Sequence, residues 1–346
     1  MPENAAADGD GDVGPGARRS DLLGVAAVAG AATLWALIGV FTRRLGAHGI
    51  GPADVAFWRA AGGGACFALH LAVTRRGRSW GRFVGDGAAS HGAASDRAAW
   101  DRATSWRLAA FTVVGVFVFY RALPSAIAAG SIAVAYVLLY TAPIWVVAGV
   151  AVVRRRLDVG VVALAAVTAA GASLVVLGVE GGGPLRSAGV AWGLVAGASY
   201  ASYYLVGQPL FARIGAITAY AIALPAGALL LAPFAELRGV DRSSALSIVG
   251  LVVISTWLPY ALLGIGLRHL AADRAVIIAT LEPVVAAAIG WSLYGERIAW
   301  YGIGGALSVM AAVVVANRRA PADAPILPRE DDAEAASDPM TNGACT

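Results

Sequence analysis

The sequence predicts an all-α integral membrane protein: ten transmembrane helices arranged as two inverted five-helix repeats. Three observations predict it. The chain has 346 residues, of which 58% are hydrophobic and 14% charged, well below the roughly 25% charged residues of a soluble domain. The apolar residues fall into ten runs, each near the ~20 residues a spanning helix needs. The two halves of the chain also resemble each other.

The runs cover about 22–42, 53–73, 108–123, 127–153, 159–178, 188–206, 216–235, 246–266, 273–294 and 300–317. The stretch 127–153 is long and must tilt or kink to fit. Polar, Gly- and Pro-rich tails at 1–20 and 319–346 read as disordered, and the first does not read as a cleaved signal peptide. A linker at 74–107, rich in Arg, Gly and Ala, reads as a cytoplasmic insertion whose arginines meet anionic headgroups.

All 26 basic residues are arginine. With the N-terminus in the cytoplasm, 18 of them fall in cytoplasmic segments, seven in external loops, and Arg59 lies inside a span. The positive-inside bias therefore places both termini inside, in the cell's inner (plasma) membrane. The sequence pI of about 9.3 does not indicate nucleic acid, because the arginines lie between apolar runs and form no single patch. Cys66 in an apolar run and Cys345 in the tail imply no structural disulfide. No metal set or cofactor motif is present.

GVAAVAGAATLWALIGVF from Gly24 resembles GVAWGLVAGASYASYYLV from Gly189, and YTAPIWVVAGVAV around Pro143 resembles TLEPVVAAAIGWSL around Pro283. The offsets, 165 and 140, differ by about the length that the 74–107 linker adds to the first half. The units are therefore 21–180 and 187–318. Five helices per unit is odd, so the second unit enters from the opposite face, as in many secondary transporters.

Glu282-Pro283 is the sharpest signal. An acid in hydrocarbon costs roughly 2.5–3.5 kcal/mol on insertion scales, and proline removes a helical donor. Glu282 reads either as a substrate or proton-coupling group, or as a neutral hydrogen-bonded acid joining helices. Pro143 and Pro283 leave the carbonyls of Leu139 and Ala279 without their helical donors, either as substrate-facing hinges or as simple kinks. Arg59 either binds a carboxylate bidentately, or snorkels or pairs with Asp54. Deep aromatic residues complete a candidate pocket: Trp35, Tyr140 (on a face with Tyr136 and Pro143), Tyr204 (with Tyr200 and Gln208), and Trp257, which flanks Pro259 with Tyr260. The glycine stripe Gly189, Gly193, Gly197 reads as close helix packing, and His70 is given no role.

Four stretches resemble the EamA family of the drug/metabolite transporter superfamily: GAATLWALIGVF, FWRAAGGGA, AVAYVLLYTAPIWVVAGVAV and ATLEPVVAAAIGWSLYGERI. The likeness spans about residues 20–317. It implies ten helices, two repeats and the transport of small metabolites, often outward. The chain departs from the family at 152–157, VVRRRL, where an acid like Glu296 is common. The function this suggests is a secondary transporter, an exporter of an amino-acid-like or drug-like metabolite, working by alternating access. Its partners are the solute and the bilayer, with proton coupling through Glu282 and homodimerisation left open. The alternatives are a membrane-embedded enzyme, against which the absence of HExxH and of a matched Ser–His pair argues, and a channel or scaffold, for which no charged ring is evident.

Overall fold

The computed structural model describes residues 15–84, 100–129, 132–180, 186–237 and 240–318. Residues 85–99 of the 74–107 linker, residues 1–14 of the first expected tail and all of the second, 319–346, lie outside the described residues. The described part is helical, and the helices are interrupted in a regular way. α1 (Pro15–Ala36) gives way to α2 (Ile38–Ala47) at Leu37, and α3 (Pro52–Val84) is continuous. α4 (Arg102–Ala110) and α5 (Phe119–Ala129) flank a π-helical segment, Phe111–Val118. α6 (Ile132–Leu139) and α7 (Ala142–Arg154) are parted at Tyr140 and Thr141, and α8 (Val159–Glu180) follows.

The second half runs the same course. α9 (Ser187–Leu205) and α10 (Gly207–Ile214) meet at Val206, and α11 (Ala216–Leu231) ends in a 3-10 turn, Ala232–Phe234. α12 (Arg242–Val252) and α13 (Leu258–His269) flank the π-helical Val253–Trp257. α14 (Ala272–Ala279) and α15 (Leu281–Tyr294) are parted at Thr280, and α16 (Trp300–Arg318) closes the chain. Residues 15–20, expected in the tail, belong to α1. Residues 74–84, expected in the linker, extend α3.

Seven helical stretches among the described residues are long and apolar enough to cross a membrane: Arg19–Ala47, Arg102–Ala129, Val134–Arg154, Val159–Val179, Ala216–Phe234, Arg242–His269 and Ala272–Tyr294, with Trp300–Ala316 a shorter apolar helix. The other two expected runs lie in α3 and α9. α9 is less apolar because its inward face carries Ser199, Tyr200, Ser202, Tyr203 and Tyr204, all buried. Large apolar side chains such as Leu229, Val152, Trp291 and Trp300 stand exposed on the flanks, as a bilayer-facing surface requires.

Packing follows small residues. α1 lies along α13 and touches both α14 and α15, while α9 lies along α5 and touches both α6 and α7. α3 pairs with α11, and α8 with α16. At the α8–α16 crossing a Cβ on Gly178 would sit 2.6 Å from Gly302 Cα, so the two backbones are in direct contact. Gly62-Gly63-Gly64 has a similar cause. Cβ atoms there would meet Val252 at 2.5 Å, Thr256 at 2.8 Å and Pro225 at 2.6 Å, so α3 nests against α11 and α12 only without side chains.

Two helix starts mirror each other. Asp101 caps α4 by accepting from Thr104 N–H at 2.6 Å, and Asp241 caps α12 by accepting from Ser244 N–H at 2.7 Å. The Asp101 carboxyl is held below its ordinary pKa, first by the backbone N–H of Thr104 and then by its side chain. Asp241 is likewise held down, by the Ser244 hydroxyl and then its N–H.

Candidate functional site: a tyrosine cluster with one acid and one arginine

The candidate site residues gather where helices break. α6 and α14 each end at a threonine that turns back on its own helix. Thr141 Oγ1 donates to Leu138 O at 2.6 Å, and Thr280 Oγ1 donates to Ile277 O at 2.5 Å. Pro143 and Pro283 then fall in the first turns of α7 and α15, where N–H groups lack helical acceptors in any case. The prolines thus start new half-helices rather than kink continuous ones. On the first break α9 presses close: a Cβ on Gly197 would lie 2.6 Å from Leu138 O and 3.3 Å from Leu139 O.

Glu282 is the second residue of α15, where the positive end of the half-helix dipole favours a carboxylate. It lies ten residues past the start of α14, about 15 Å along at 1.5 Å per residue, near the middle of a ~30 Å hydrocarbon core. It is partly accessible and makes no hydrogen bond or ion pair among the described residues. Its charge acts on Tyr140, Tyr200 and Tyr204 and is attracted by Arg59. Tyr200 and Tyr204 are joined hydroxyl to hydroxyl at 3.3 Å.

Arg59, also partly accessible, lies over the Tyr120 ring at 4.8 Å and points Nε to Thr256 Oγ1 at 3.4 Å. A partly desolvated cation–π contact of this kind is worth about 0.5–2 kcal/mol. Asp54 is occupied elsewhere, accepting from the backbone of Glu236 at 2.7 Å and Leu237 at 3.2 Å, so the expected Asp54–Arg59 pairing does not occur. Tyr120, Tyr260 and Tyr203 form a hydroxyl chain of 2.7 and 3.2 Å. Phe67, Tyr220, Tyr260 and Tyr203 stack in a column with centroids 5.0, 5.0 and 5.4 Å apart.

Trp35 stands between the two tyrosine groups, with edge contacts to Tyr200 at 6.3 Å and Tyr260 at 5.7 Å. Of the residues singled out in the sequence, Glu282, Tyr140, Tyr204, Trp35 and Arg59 therefore converge. Trp257 packs against the same core as Trp35 and Tyr260 and makes an edge contact with the His70 ring, centroids 5.8 Å apart. Gln208 is separated from Tyr204 by the break at Val206, and its Nε2 caps α13 through Leu267 O at 3.1 Å and Leu270 O at 2.8 Å.

The sequence reading missed Tyr120, Tyr203, Tyr220 and Thr256. Tyr203 adjoins Tyr204 in ASYY, and Tyr120 lies 140 residues before Tyr260, so adjacency marks the first and the repeat offset the second.

A helical membrane protein with broken helices meeting at a charged, aromatic interior is the class these features define. The EamA-like transporter family model matches the chain twice, over residues 22–177 and 187–318, and the chain belongs to that family. The chain is 27% identical over 215 residues to an "Uncharacterized transporter" of Archaeoglobus fulgidus, covering 61% of this chain and 75% of that protein. One crystal structure superposes with a TM-score of 0.68 at 19% identity, over 86% of this chain and 96% of that one, which shows a shared fold.

Proposed function

We propose that the protein is a secondary transporter that exports a small, amino-acid-like or drug-like metabolite by alternating access. Ten spans form two inverted five-helix units, with both termini on the cytoplasmic face of the plasma membrane. The observation that carries this reading is Glu282: an acid near mid-bilayer, at the start of a half-helix, without a hydrogen-bond partner and surrounded by tyrosines. An acid that only joined helices would have a partner, since a buried polar group left unpaired is costly. With Arg59 opposite, the pocket offers one charge of each sign, and its ring faces suit an organic cation. Glu282 is also the group that would carry a coupled proton.

The repeat reading is supported by pairs 140 residues apart: Asp101 with Asp241, Tyr120 with Tyr260, Pro143 with Pro283. Tyr120 and Tyr260 touch each other, as two matched residues do when a two-fold axis passes between them. The double family match and the name of the archaeal relative agree with transport.

Counterflow in proteoliposomes tests the proposal. Vesicles are loaded with amino acids, small amines, nucleosides or cationic dyes in turn, and labelled uptake is followed for the native protein and Glu282→Gln. Saturable exchange that falls to background in Glu282→Gln is the expected result. Exchange unchanged in that variant removes Glu282 from the cycle, and no exchange with any solute by folded protein overturns the transport reading.

A further inference from the structure

Two ion pairs join the same two spans at their opposite ends. Arg274 of α14 grips Asp21 of α1 bidentately, Nη1–Oδ1 at 2.5 Å and Nη2–Oδ2 at 2.8 Å. Glu296, just past α15, pairs with Arg43 of α2. Both pairs link residues 253 positions apart. The α1–α2 span and the α14–α15 span therefore run parallel and in register, and the pairs stand about 30 Å apart, a bilayer's thickness. The breaks in the two spans, at Leu37 and Thr280, lie between the pairs.

The outer pair has a built seat. Gly295 ends α15 in the left-handed region at φ 65°. Its N–H and that of Glu296 both return to Gly290 O. The Glu296 carboxylate folds over Gly290, where a Cβ would collide with Oε2. The Arg43 guanidinium also covers the Tyr294 ring at 4.5 Å. Thus Gly290, Tyr294, Gly295 and Glu296 act together on one arginine of the first half. The inner pair is the more enclosed, with Arg274 12% and Asp21 30% exposed, against 54% and 23% for Arg43 and Glu296.

We propose that these two ion pairs are the positioning device for Glu282. A helix broken at Thr280 has no continuous ladder to fix the relation between its pieces. Each piece is instead fastened to the neighbouring span, α14 by Arg274–Asp21 and α15 by Glu296–Arg43, and Glu282 is held in the pocket between the two fastenings. Asp21, Arg43, Arg274 and Glu296 act through Glu282 and touch no solute. The inference rests on Glu282 being a pocket group.

Dicyclohexylcarbodiimide, a lipid-soluble reagent for carboxyl groups, tests this without a known solute. The rate of adduct formation at Glu282 is read by peptide mass spectrometry in the full-length protein in vesicles, alongside thermal unfolding. Native protein labels at Glu282; if it does not, the pocket reading fails and the inference with it. Arg43→Gln and Glu296→Gln change the Glu282 rate by about threefold or more, as coupling through packed networks does. The double reversal Arg43→Glu with Glu296→Arg returns it toward the native rate, and Asp21→Arg with Arg274→Asp behaves likewise. Labelling that stays native in the single variants while the melting temperature falls makes the pairs purely structural and overturns the inference, leaving the pocket intact. Double reversals that label no nearer to native than the single variants also overturn it, and they remain readable if a single variant does not fold.

Discussion

The broken span α6–α7 and the broken span α14–α15 share a plan and differ in almost every detail that matters. Both turn on a threonine, restart with a proline in the first turn, and lie against a long helix of the opposite half. In the first, Ala142 occupies the place that Glu282 holds in the second. The first is held by backbone contact, Gly193 and Gly197 of α9 receiving Leu138, while the second is fastened by charge. The first ends on Arg155, forced to φ 51°, and the second on Gly295 at φ 65°. The shared features make the break. The differing ones give one copy an acid and ion pairs and leave the other apolar.

The largest effect on this contrast is expected at Gly197. Gly197→Ala puts a methyl 2.6 Å from Leu138 O, where backbone cannot yield cheaply. It should destabilise the protein by about 1–3 kcal/mol, seen as a lower Tm in detergent. An unchanged Tm would mean the first break is not held by this approach.

Next come the helix ends. Arg155→Gly relieves a left-handed non-glycine residue, and the gain after the added chain entropy is about 0.5–1 kcal/mol, whereas Gly295→Ala costs about 1 kcal/mol. Opposite signs in thermal unfolding sharpen the comparison, and equal signs break it. Smallest is the acid limb. Asp101 and Asp241 have carboxyls held below the ordinary value of about 3.9, so their contribution is present above that pH and is lost as pH falls through the lower folded value. Asp101→Asn and Asp241→Asn should both flatten the loss of stability below about pH 4, and by similar amounts if the caps are equivalent.

Much of this was legible in the sequence because the bilayer makes certain residues conspicuous. A proline or an acid in an apolar run stands out on grounds of cost alone, which is why Pro143, Pro283, Glu282 and Arg59 could be picked without a structure. Thr141 and Thr280 could not, since a threonine that bonds its own backbone is unremarkable in a membrane helix. Tyr120 was hidden for a different reason: near the end of an apolar run, it reads as an interface aromatic. The aspartate caps lie outside the apolar runs, where periodicity carries no information.

The unmatched pair Ala142 and Glu282 has a consequence for the proposed transport cycle. A molecule made of two interchangeable halves would have inward- and outward-facing forms of equal free energy, related by a two-fold rotation about an axis in the bilayer plane. A single ionisable group in one half removes that degeneracy. On the proposed alternating-access reading, the charge state of that carboxyl then contributes to the resting preference for one face, and the bias of the cycle is expected to respond to proton activity.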